Sequence, residues 1–450
     1  MEQVVGWIPA CAGMTASGLP QPLGRFFNAL ECGYDAPDFR SRLQDIAMLS
    51  LAQFWSMRHR LRSLVLLFWV YSFVSRAVGA FSQIYIYKMF DSVQLNIVAA
   101  MASFTGIMIG FCVYGAITAQ YRLNAKHGFL LSFLFTALGL VLLALAGDAQ
   151  QACGAVTVRG IGSGLFWLTI HTYELMESRD HERDIYSTFL SAGDQIVTLA
   201  SPAFATLLIW LSHNLGLGEF TLLFLATPPI FLLGLPFLGA LKDYRPEPIA
   251  RRDLVHFVAD RRNQAAQVYL MGGAASHILS NALIPLAAIT VLGSALNVGG
   301  FNTVFAFAGA LALLAVGSRR RPENRLAILG LSSIALISLD LMLGFSLTLV
   351  TLIVYTTGTS IMQPVMRVSQ HVIDLKTMDG MAHGASDFYP AMILRDVALW
   401  VWRMAAAALL LAFAGGAGTG REAISLGMYM IAGAIAVTYA GAWILVAWKR

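Results

Sequence analysis

Arg76, Arg159, Asp194, Arg395, Asp396 and Arg403 stand inside long apolar runs of this sequence, and His277 stands in another. A charge in an apolar surround costs several kcal/mol unless it is paired, so each of these residues needs a reason. Arginine's planar fork matches a carboxylate or phosphate in two parallel hydrogen bonds. Desolvation favours the neutral form of a carboxylate and a neighbouring arginine favours its charged form. Asp194 and Asp396 can therefore exchange a proton when their surroundings change. Arginine outnumbers carboxylate in these runs, which points to an anionic or zwitterionic ligand.

The elements that must carry these charges follow from composition. The chain has 450 residues, of which 57% are hydrophobic and 12% charged, against about 25% charged in an average soluble domain. Too few charges remain to coat a water-soluble globule of this size, and a lipid bilayer removes that need. The formal net charge is +5, but the basic residues sit in short clusters between apolar runs and form no stripe that would bind nucleic acid. Cys11, Cys32, Cys112 and Cys153 show neither CxxC spacing nor metal-ligand neighbours; Cys112 and Cys153, in or beside apolar runs, read as small core residues.

A bilayer core of about 30 Å takes about twenty apolar residues at 1.5 Å each. Such runs recur near 62–86, 93–118, 128–147, 152–175, 186–211, 219–241, 265–292, 298–317, 324–344, 346–371, 386–413 and 422–447. The expected fold is an all-α polytopic membrane protein of twelve spans. About twenty lysines and arginines fall in one set of alternate loops and only Lys88 and Arg421 in the other. That bias places both termini in the cytoplasm, and the chain in a bacterial cytoplasmic (inner) membrane. Counted along the spans from the cytoplasmic side, Arg76 and Arg159 share a level of roughly 20 Å, with Asp194 at roughly 12 Å and Asp396 at roughly 15–18 Å. Arg367 falls near the cytoplasmic end of span 10 and is expected to snorkel. Glu174 and Asp387 read as solvated helix ends.

Residues 1–58 form an N-terminal tail unlike the rest. Trp7-Ile-Pro-Ala-Cys-Ala-Gly-Met-Thr15 resembles translated bacterial intergenic repeat, which puts the natural start downstream. Phe39 to Met57 fits either an interfacial helix or a tail without fixed structure. Residues 242–262 are the only long internal polar segment and divide the chain into six-span bundles at 59–241 and 263–450. Polar positions recur at similar depths in the two halves: Arg76 with His277, and Asp194 with Arg395-Asp396. Such repetition is the mark of duplicated transporters.

Local motifs add a family resemblance. Ser201-Pro202-Ala203-Phe204-Ala205-Thr206 resembles the Gly-Pro-x-x-Gly-Gly antiporter motif of the major facilitator superfamily, with Ser201 and Ala205 keeping the small size. Arg159 with Gly160, Gly162 and Gly164 is similar to that superfamily's arginine-glycine motif. The loop after span 2 keeps Gly115, Arg122 and Lys126, while Ala119 and Gln120 replace its acid and base. Residues 160–184 further resemble a sparsely characterised bacterial branch. The resemblance implies a central cavity lined by spans 1, 4, 7 and 10. Arg76, Arg159, His277 and Tyr355 would then bind substrate, and Asp194 and Asp396 would couple protons. The plainer reading of His277 is a helix histidine bonding a carbonyl.

Other signals are weaker. Gly160-x-Gly162-x-Gly164 follows no strand and so is no dinucleotide fingerprint; it and Gly106-x-x-x-Gly110 read as close helix packing. His171-x-x-Glu174 lacks the second pair that a metal site needs, and no P-loop is present. No metal or cofactor is expected. Pro228-Pro229 and Pro236 should bend span 6. The leading expectation is a monomeric secondary transporter moving a small solute, by proton-coupled export of an anionic or amphipathic compound. Alternatives are a sensor or non-transporting partner built on the same fold, a lipid transporter and a membrane enzyme.

Overall fold

The computed structural model describes residues 54–178, 180–247, 261–317, 325–381, 388–416 and 419–447. The chain divides after Met57; of the first unit only a helical turn, Phe54–Ser56, and Met57 are described. The readings of residues 1–53, of Asp387 and of the middle of the 242–262 segment lie outside the described residues.

The regular structure of the second unit, Arg58–Arg450, is all helix among the described residues. Its helices are α1 (His59–Phe90), α2 (Val93–Gln120), α3 (His127–Ala144), α4 (Ala149–Glu177), α5 (Asp180–Asn214) and α6 (Thr221–Ala226), then α7 (Arg261–Leu292), α8 (Ala295–Gly317), α9 (Arg325–Phe345), α10 (Leu349–Met381), α11 (Phe388–Ala414) and α12 (Gly420–Ala447). Among the described residues eleven helices are long and apolar enough to cross a membrane. The remaining expected span is α8, Ala295–Gly317, in which Ala295–Phe307 forms a shorter apolar helix. Pro228 and Pro229 break the sixth span. An α-turn ends at Ala226, a 3-10 segment covers Pro228–Gly234, and one more α-turn closes at Leu238.

Short connections on the face opposite the basic loops follow from local chemistry. Asp91 takes a left-handed conformation (φ 46°) and caps α1 through its N–H to the Tyr87 carbonyl. Ser92 then accepts from the Leu95 N–H to start α2, and Asp148 does the same for Gln151 at the start of α4. Such caps satisfy amides that would otherwise be left orphaned at the helix ends.

Glycine sets the closest helix pair. A Cβ on Gly106 or Gly110 of α2 would lie 2.2 or 2.3 Å from a backbone carbonyl of α4, and one on Gly160 or Gly164 of α4 would lie 2.1 Å from a carbonyl of α2. The two small-residue stripes face each other, so backbones rather than side chains meet. Gly162 points the other way and seats α4 against Ser132 and Thr136 of α3. Across the bundles α2 packs on α11, α5 on α8 and α1 on α7. Adding six to each helix number exchanges the first two contacts and maps the third onto itself, as a two-fold relation between halves requires.

On the face carrying the basic loops, Lys126 pairs with Asp243, Tyr244 bonds Ala125 and Asn124, and the Tyr173 hydroxyl donates to the Lys242 carbonyl. The loop after α2 lacks its usual acid, and Asp243 supplies one from the end of the sixth span. The hydrogen bonds from Lys126 and Asn124 hold the Asp243 carboxyl below its ordinary value of 3.8. A depressed folded value means that the latch is intact above 3.8 and is lost as pH falls through the folded value. Asp243→Asn should therefore loosen it at neutral pH. Hydrogen exchange at residues 122–126 and 242–247 should speed up in the variant, whereas equal exchange would show that the pair does not hold the loop.

Candidate functional site

Three helices from both bundles bring charge to one point. Arg76 of α1 donates from Nε and Nη2 to the two carboxylate oxygens of Asp194 on α5, at 3.0 and 2.5 Å. Arg367 of α10, in the other bundle, places Nη1 3.9 Å from Asp194 Oδ2. The forked Arg76 pair is the strong contact and the Arg367 pair the loose one. The residue before Asp194 has to be glycine, because a Cβ on Gly193 would lie 1.7 Å from the Trp69 indole. Trp69 and Arg76 are seven residues apart and share a face of α1. One face of α1 thus fixes both the register of α5 and the aim of its carboxylate.

Beside the clasp lies a cavity of about 110 Å³, whose polar wall includes Arg76, Gln195 and Thr198 from one bundle and Ser360, Gln363 and Arg367 from the other. It is small and shared between the bundles. A larger depression of about 470 Å³ lies over Thr348, Arg421 and Glu422 at the loops opposite the basic face. That one is shallow and far from the buried charges, so the smaller cavity is the better candidate site.

The other expected site residues are dispersed. Arg159 sits inside the first bundle, where Nη1 donates to Ser82 at 2.8 Å and the next turn of α4 bonds Tyr71 through Ser163. Among the described residues no carboxylate lies within ion-pair distance of Arg159. His277 is on α7, which is surrounded by α1, α2, α8, α10, α11 and α12, yet its side chain is exposed. Such exposure is to space between helices and not to lipid. The Phe104 ring meets it edge-on at 5.2 Å, and Arg367 and Arg403 lie within electrostatic range. Tyr355 is buried in the second bundle, within electrostatic range of Asp340 on α9; it is not among the residues that line the cavity. Asp396 is buried on α11 with Arg403. Ser201, Pro202 and Ala205 lie where α5 crosses α8. Ser201 and Ala205 are fully buried, and Thr206, bonded to the Pro202 carbonyl, fills the space over Gly299.

Three features depart from the sequence expectations. Arg367 does not snorkel at a helix end, because α10 runs to Met381 and not to residue 371. That extension lifts Arg367 roughly 21 Å from the end of its helix, to the level of Asp194. Glu174 is not solvated: it is 4% exposed and held by His171 at 2.8 Å and Tyr186 at 2.9 Å. Asp340, 3% exposed, is a buried acid that the sequence reading passes over; its signal is a lone acid within a leucine-rich span.

Two all-helical bundles of membrane length, meeting at a charged clasp and a small polar cavity, make a membrane transporter fold. The profile of the Major Facilitator Superfamily matches residues 64–373, and the chain belongs to that superfamily. Solved structures agree. The chain is similar to the human organic anion transporter MFSD10 (TETRAN), with 13% identity over 86% of this chain and 99% of that one and a TM-score of 0.58. It is similar to a bacterial homolog of the human lysosomal transporter Spinster in an inward-facing, unoccupied conformation, at 12% identity, 87% and 98% coverage and TM-score 0.59. It is also similar to the nucleoside transporter NupG, at 13% identity, 86% and 99% coverage and TM-score 0.56. At these identities the likeness is one of fold. No curated protein matches the chain.

Proposed function

We propose that this chain is a secondary transporter of the bacterial cytoplasmic membrane, with both termini cytoplasmic. In this reading it works as a monomer by alternating access and exports a small anionic or amphipathic solute in exchange for protons. The observation that carries this reading is the clasp: Asp194 bonds Arg76 of its own bundle and reaches Arg367 of the other. A proton on Asp194 would release both guanidiniums, and an anionic solute in the adjoining cavity would then take them up. Either event changes the contact between bundles directly, which is what coupling of binding to rocking needs. The proline motif at Ser201-Pro202, where α5 crosses α8, supports the export direction through its family resemblance. His277 and Arg159 would shape the surrounding field, while Tyr355 would act through Asp340.

Purified protein in proteoliposomes, screened for solute-induced proton movement, tests the proposal. Wild type should move protons with at least one anionic compound, and Asp194→Asn should lose that movement while still binding the compound. Proton-independent flux unchanged by Asp194→Asn would remove the coupling; failure of every compound to move would remove the transport reading itself.

A further inference from the structure

The clasp accounts for the charges beside the small cavity but not for the rest of its wall. Thr359, Gln363 and Arg367 fall four apart on α10, so one stripe of that helix faces the space. Gln195 and Thr198 fall three apart on α5, next to Asp194. Ala306 and Pro364 are the apolar members of the wall, and among the described residues no aromatic or long aliphatic side chain joins them. A cavity of about 110 Å³ equals roughly four water molecules at the share of about 30 Å³ that each holds in the liquid. Pockets for drug-sized ligands begin at about 300 Å³.

The hydrogen bonds of this wall are only partly used. Thr198 donates its hydroxyl hydrogen to the Asp194 carbonyl at 2.6 Å, and Thr359 donates to the Thr356 carbonyl at 3.2 Å. Both hydroxyl oxygens keep lone pairs and have no hydrogen left to give. Pro364 lacks the N–H that would bond the Ser360 carbonyl of its own helix, which adds another acceptor. Gln195 and Gln363 have no hydrogen-bond partner among the described residues, and each carboxamide offers donors and an acceptor together. The full charges on the wall are the guanidiniums. Arg76 is forked to Asp194, whereas the Arg367 side chain is 56% exposed and 3.9 Å from that acid, so Arg367 is the first to meet an anion.

We propose that this cavity selects a short hydroxycarboxylate, of about two to four carbons, and that Gln195 and Gln363 set the selection by reading its hydroxyl. The carboxylate docks on Arg367, and on Arg76 once Asp194 lets go. The hydroxyl donates to a threonine oxygen or the Ser360 carbonyl and accepts from a glutamine amide. A plain carboxylate of the same length leaves those acceptors and amides unmatched. An amino acid of that length has a donor for them but sets its ammonium among guanidiniums, with Asp194 already held by Arg76. An amphipathic anion finds neither the room nor an apolar wall. Selection of this kind deepens the anion-transport reading above and rests on it for its purpose, although binding can be measured with no gradient present.

The test titrates the full chain in detergent micelles, by calorimetry, with racemic lactate, propionate, racemic alanine and phenyllactate. The first three share one carbon skeleton, and the fourth adds a ring to the head of lactate. Lactate should bind saturably, propionate and alanine about tenfold or more weaker, and phenyllactate weaker still. Gln195→Leu and Gln363→Leu should each bring lactate down towards propionate, whereas Arg367→Gln should weaken both alike. Should Gln363→Leu fail to fold, Gln195→Leu carries the test. Equal affinity for lactate and propionate, or tighter binding of alanine or phenyllactate, would overturn the class. A lactate preference unchanged in both glutamine variants would overturn their role. Absence of saturable lactate binding would also overturn the class, even if flux of a larger anion then upheld transport. Selective lactate binding with no lactate flux in proteoliposomes would keep the selection and lose the transport reading.

Discussion

Valine in place of Gly164 is expected to abolish the folded yield of this protein, whereas alanine in place of Gly154 on the same helix is expected to leave it unchanged. The difference lies in what a Cβ would meet. At Gly164 it would stand 2.1 Å from the Ile107 carbonyl oxygen, with the Phe111 amide nitrogen also closer than contact distance; at Gly154 nothing lies within 4 Å. Neither backbone atom can move without its helix. Relief therefore separates α2 from α4, and Gly106, Gly110 and Gly160 lose their contacts with it. Lipid supplies little hydrophobic drive between helices, so close packing is the main attraction at this seam. Overpacking costs about 1–3 kcal/mol where side chains can adjust. Here they cannot, so the loss should reach the upper end or beyond, against a total stability of about 5–15 kcal/mol. Gly154→Ala should be neutral or slightly stabilising, by up to about 1 kcal/mol. Monodisperse yield after solubilisation and the melting temperature measure both. A Gly164→Val protein that melts with wild type would show that the seam does not limit stability.

That seam is legible in the sequence alone, because small residues spaced by four on two spans leave few other readings. The span pattern is legible for a similar reason: length and apolarity are local properties, and the bias of the basic loops checks the count. Partners are not legible. Arg76 and Asp194 each stand out as charges in apolar runs, but their fork depends on Trp69 packing against Gly193, which no spacing within one helix reveals. Hydropathy misplaces Arg367, since the last turns of α10, Ile373 to Met381, are polar enough to read as loop although the helix continues through them. Glu174 has the sequence surroundings of a helix end in water; its burial comes from Tyr186, on the next helix. Counting along the span puts Arg159 at a level but not in a company, since depth says nothing about which way a side chain faces. Hydropathy thus carries the bundle, and tertiary contact carries the site.

Neutralising Arg367 and neutralising Arg76 are expected to stop transport equally while differing in what they do to stability. The Arg367 side chain is 56% exposed and its contact with Asp194 is 3.9 Å, so it behaves as a screened pair worth no more than about 1 kcal/mol. Arg76 is 29% exposed, Asp194 is 14% exposed, and two hydrogen bonds join them. Breaking a charge-assisted pair of this kind costs about 1.5–3 kcal/mol, and partial exposure places the expected loss at the lower end. Arg367→Gln should therefore melt within about 1 kcal/mol of wild type, and Arg76→Gln should melt measurably lower. Solute flux in proteoliposomes should fall about tenfold or more in both, because a competing anion needs both guanidiniums once Asp194 lets go. Arg76→Lys keeps the charge without the fork and should fall between Arg76→Gln and wild type in flux. A double-mutant cycle sharpens the contrast. With Asp194→Asn as the second change, stability should show coupling to Arg76 and little to Arg367, since only the first pair is held by two short bonds. Full flux in Arg367→Gln would leave the clasp as a cement within the first bundle, with no part in joining it to the second.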